Sequence, residues 1–161
     1  MTKQGRQSRS ALKYFPARWI DVSVDAARAH DLAARALNRH RYTLREQRSP
    51  AVAFFQYGTV GREFLWDFLG FDAIAFFRGR PTEWAQIAVW TEPAAAATRI
   101  TLSLLNGHTH HAEVRATIDD LIADFRAEGV LLAVSDPFSG LDLPADSPGQ
   151  PKPRRKRKQG R

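Results

Sequence analysis

The residues best suited to chemistry are at the C-terminal end, where Lys152, Arg154, Arg155, Lys156, Arg157, Lys158 and Arg161 fall within ten positions. Seven positive charges without one acid form an electrostatic footprint for nucleic acid or another polyanion. In a eukaryotic chain the same string would read as a nuclear localisation signal. The plainer alternative is a solubilising tail with only nonspecific attraction to polyanions.

A second candidate is aromatic. Eleven of the 17 aromatic residues fall between Phe54 and Trp90, which is more than one side of a few strands needs. Within this run, Phe64, Trp66, Phe68, Phe71, Phe76 and Phe77 are bracketed by Arg62, Arg78 and Arg80. Apolar runs of this length are most often core, here a short buried helix over 64–69 and a strand over 73–77. The same residues would also suit an interface that dips into lipid or into a partner's groove. Their rings could equally line a pocket for an apolar ligand.

The third is imidazole. His108, His110 and His111 stand in Gly-His-Thr-His-His, and in an extended segment His108 and His110 would point the same way. A metal would need a third ligand, for which Glu113, His30 and His40 are the candidates, none at a recognised spacing. The segment therefore reads as the turn and start of a helix, with no metal or cofactor expected. Ser135 and Asp136 can be combined with the histidines on paper, but no nucleophile elbow surrounds them. Asp119, Asp120 and Asp124 fall on the polar side of an amphipathic helix, where solvated charge is the ordinary explanation. Neither a P-loop nor a dinucleotide fingerprint occurs. With no catalytic constellation in view, enzyme activity is not the expectation.

The frame for these residues follows from composition. The chain has 161 residues, 43% hydrophobic and 25% charged, which suits one packed core. It contains no cysteine, so disulfides, thiolate metal sites and cysteine nucleophiles are excluded together. The net charge of +7 is unevenly placed: four basic residues and no acid in 1–17, 13 basic against 17 acidic in 18–151, and seven basic and no acid in 152–161. Within the body, 18–62 carries 8 basic against 4 acidic residues and 63–151 carries 5 against 13. Residues 1–10 lack the apolar run of a secretory signal, and 64–77 is too short and too charged to span a bilayer. Lysine occurs only at positions 3, 13, 152, 156 and 158, while arginine and alanine abound, a GC-rich coding bias. A bacterial, cytoplasmic protein is the expectation.

Periodicity then places the elements. Ile20, Val22 and Val24 alternate with polar residues as in a strand over 19–24. Asp25 is the expected N-cap of a helix over 26–39 whose apolar stripe is Ala29, Leu32, Ala33, Ala36 and Leu37. Strands are expected over 42–48 and 51–57, then over 84–92 and 98–105 with a turn at 93–97. A helix over 111–128, with Val114, Ile118, Leu121, Ile122 and Phe125 on one stripe, should end at Gly129. A short strand over 130–134 completes the set. The fold expected is α+β: an open, mostly antiparallel sheet of about five or six strands with two main helices on one face, a two-layer sandwich.

Residues 1–13 are expected to be a flexible basic arm, 14–138 a single α+β domain, and 139–161 a disordered Pro-rich linker with the basic tail. The functional expectation is a non-enzymatic binding or adaptor domain tethered to nucleic acid, or another polyanion, by that tail. The alternative is an apolar-ligand carrier or peripheral membrane protein that uses the aromatic segment 64–77 toward lipid or a protein partner.

Overall fold

The computed structural model describes residues 15–58, 84–107 and 110–151. In chain order the elements are β1 (Pro16–Val22), α1 (Ala26–Arg39), β2 (Tyr42–Ser49), β3 (Val52–Tyr57), β4 (Ala85–Ala94), β5 (Ala97–Asn106), α2 (His111–Ala127), β6 (Leu131–Val134) and β7 (Phe138–Ser139), followed by a 3-10 turn (Gly140–Asp142). The sheet runs β2-β3-β4-β5-β1-β6, every pair is antiparallel, and β7 pairs with β1. This is the open antiparallel sheet with two helices that the residue pattern predicts.

The helix limits follow from local chemistry. Asp25 caps α1, its carboxylate accepting the Arg28 N–H at 2.9 Å, which satisfies one of the orphan amides of the first turn. At the end of α2, Gly129 takes φ 71°, the left-handed conformation that glycine adopts without steric cost. Its N–H reaches the Arg126 carbonyl, and the Val130 N–H reaches that of Phe125. The two bonds make a Schellman stop and direct the chain into β6.

Strand alternation sends one set of side chains to the helices. Ile20 and Val22, Phe55, Ile87 and Val89, and Ile100, Leu102 and Leu104 form one cluster with Leu32 and Leu37 of α1 and Val114, Ile118, Leu121 and Phe125 of α2. The opposite set, including Phe54, Ala88 and Trp90, faces away from the helices and gathers Val52, Leu105 and Leu143 into a smaller cluster.

Three expectations need correction. The first strand begins at Pro16 and ends at Val22 rather than running over 19–24. The β4–β5 connection is tighter than a turn over 93–97, because pairing continues through Pro93 opposite Thr98 to Ala94 opposite Ala97. Ala95 alone takes a positive φ, 49°. The chain from residue 139 also does not leave the fold as a linker. Residues 139–151 form a strap across the helix-free face: the buried Ser103 hydroxyl donates to the Gly149 carbonyl at 2.7 Å, and Ser139, Gly140, Gly149 and Pro151 are buried. A Cβ on Gly149 would overlap the Trp90 ring, and one on Gly140 would overlap the Ser103 hydroxyl. Only glycine allows so close a backbone approach.

Among the described residues β2 is an edge strand, and it is irregular. Its register shifts between Leu44 and Glu46 and again between Gln47 and Ser49, and most of its side chains are exposed.

Candidate functional site

The basic residues Lys152, Arg154, Arg155, Lys156, Arg157, Lys158 and Arg161 lie outside the described residues, as do the N-terminal arm 1–13, the aromatic residues Phe64, Trp66, Phe68, Phe71, Phe76 and Phe77, and His108. The helix and strand expected over 64–69 and 73–77 fall there too. What is described is the surface to which these segments are joined, and it sorts the body's charges.

The basic and acidic halves of the body meet across the two helices. Arg28 of α1 reaches Glu128 at 3.0 Å, Arg35 approaches the same carboxylate at 3.7 Å, and Arg39 pairs with Asp124 of α2. His40, just beyond α1, lies 2.8 Å from Asp120, and Arg18 of β1 lies 3.0 Å from Asp119. The carboxylates Asp119, Asp120 and Asp124, expected to be merely solvated, are thus the partners of β1 and α1. On the other face Arg99 binds both Asp21 oxygens, at 2.7 and 2.9 Å, a bidentate pair that raises the guanidinium's pKa. Arg48 lies 3.2 Å from Glu46, with its guanidinium 4.5 Å from the centre of the Phe54 ring.

His110 stacks at a tilt against Tyr57, ring centres 5.4 Å apart, and Tyr57 lies 5.7 Å from Tyr42. Burial pushes the Tyr42 hydroxyl well above the ordinary tyrosine range, with Glu113 and Tyr57 adding to the effect. The rings pack the end of the sheet where β3 and the start of α2 come together. Among the described residues no group of three or more His, Asp or Glu side chains is placed to hold a metal ion. Ser135 has a structural task, its hydroxyl accepting the Trp19 N–H at 3.1 Å.

One groove, of about 250 Å³, runs between α1 and the β2 edge and is lined by residues that include His30, Asn38, Leu44 and Gln47. Leu44 is 52% exposed there, and the buried Nε2 of His30 has no hydrogen-bond partner. Sequence reading missed this groove, because its residues come from a helix flank and a bulged strand. Among the described residues no helix is long and apolar enough to cross a membrane. No family model matches the chain, and the curated proteins searched contain no match to it.

Proposed function

We propose that the chain is a binding or adaptor module without a reaction of its own, held on nucleic acid by its basic residues 152–161. One observation supports this above the others: the described part of the body ties up most of its own positive charge. The described residues contain ten arginines against thirteen carboxylates, and six of the ten, Arg18, Arg28, Arg35, Arg39, Arg48 and Arg99, sit in ion pairs. A phosphate approaching them competes with a carboxylate already in place. The terminal run has seven basic residues and no acid within it to compete. Phosphate contacts of this kind position a protein without reading base sequence.

The test compares the full chain with a version lacking residues 152–161, on DNA and RNA at two salt concentrations. Affinity for the full chain should fall linearly with salt in log–log form, with a slope no steeper than about −6 on duplex DNA if all seven charges meet phosphates. The truncated chain should lose binding and keep its melting temperature. Equal affinity of the two chains overturns the proposal. Flotation with anionic vesicles in the absence of any nucleic-acid binding replaces it with the membrane-surface reading.

A further inference from the structure

The helix-free face carries a flat guanidinium plate on β5, the strand whose Ser103 holds the strap. Arg99 donates from Nε and Nη2 to the two Asp21 carboxylate oxygens, so its guanidinium cannot rotate freely. Its Cζ lies 4.1 Å from the centre of the Trp19 ring, so the indole backs one side of it. The side chain remains 32% exposed.

The strap sets where the basic run begins relative to this plate. Along β1 and β5 the paired positions on the helix-free face are Ala17 with Ser103, Trp19 with Thr101, and Asp21 with Arg99. Ser103 holds Gly149, and Pro151 packs beside Gly140, which closes on Ser103 as well. The basic run follows Pro151 directly. Trp19 is two residues from Ala17, a step of roughly 7 Å along a strand.

The geometry points to the Arg99–Trp19 pair as a stacking platform for a base of single-stranded nucleic acid whose phosphates are held by residues 152–161. The inference rests on the tether reading and adds the kind of nucleic acid. Unpaired bases stack on guanidinium planes and aromatic rings, and such stacking tolerates any sequence because every base has a flat face. A duplex shows its base edges in the grooves and keeps the faces stacked inside, so it cannot use a plate. The plate brings little net charge, since Asp21 neutralises Arg99 and Glu92 stands opposite it on β4. Attraction and preference are therefore separable: the tail sets the salt dependence and the plate favours single strands.

The test measures binding of a short single-stranded oligothymidylate and of a duplex of equal length to the full chain and to Arg99→Lys. Lysine keeps the charge and can still meet Asp21, but it has no plane. The variant's Kd for the single strand should rise between about 5- and 150-fold, the range for loss of one stacked base. Its salt slope and duplex affinity should stay as they are. An unchanged ratio of single-strand to duplex affinity overturns the platform and leaves the tether standing, whereas failure of the full chain to bind either form overturns the tether. Should Arg99→Lys not fold, the unaltered protein is irradiated with a 5-iodouridine strand. Adducts should map to the β1 or β5 segments that carry Trp19 and Arg99, and adducts confined to other segments overturn the platform.

Discussion

The two faces of the sheet are covered by different means. On one, two helices bury aliphatic side chains from β1, β3, β4 and β5 in a single cluster. On the other, thirteen residues with little regular structure cover part of a surface that contains Ser103, Thr101, Trp90, Trp19 and Arg99. Aliphatic burial is nondirectional and tolerates small shifts, whereas the strap relies on directional contacts, among them the Ser103 hydroxyl, the Gly140 N–H on the Phe15 carbonyl, and two glycines at close approach. The helix face is thus built for stability, and the strap face holds particular groups in particular places.

The comparison breaks most visibly at the centre of the helix face. Ile118 is almost fully buried, so Ile118→Asp places a carboxylate where no partner waits. The variant should not fold, and a soluble form that melts cooperatively would disprove the placement of α2. On the strap face, Gly149→Ala should be milder. The added methyl meets the Trp90 ring, and the resulting shift should cost about 1 to 3 kcal/mol. Hydrogen exchange should then quicken in 139–151 while α2 keeps its protection; no change in either stability or exchange would mean that the strap does not bear on Trp90. The smallest effect is expected on the helices' outer seam. Arg39→Ala removes a half-exposed ion pair and should cost less than about 1 kcal/mol, fading at high salt. Urea titrations at low and high salt measure it, and a salt-independent loss above about 2 kcal/mol would make the seam part of the core.

The helix face was legible because periodicity reports burial. Ala29, Leu32, Ala33, Ala36 and Leu37 announce α1, and Gly129 marks the end of α2, since both signals lie within one segment of chain. The strap was not legible for the converse reason. Gly140, Gly149 and Pro151 look like linker residues until Ser103 and Trp90, some forty and sixty residues earlier, are brought against them. The acidic face of α2 was placed correctly on the helix, but its partners belong to α1 and β1, and no spacing within α2 reveals them. Arg99 and Asp21 are 78 residues apart in sequence, and only the β1–β5 register joins them. Of the candidate site, composition revealed the charge of the tail and nothing of the surface beside its root.

The irregular edge of β2 bears on crowding. A polymer that gathers many copies by their tails raises their local concentration far above that in free solution. Under such conditions a straight, unpaired strand edge is a template on which neighbouring copies zip together. The two register shifts flanking Glu46 and Gln47 interrupt that template, and the exposed Arg45, Glu46 and Arg48 lay charges along it. Copies held side by side on one strand would therefore find no regular ladder to extend along the described β2 edge.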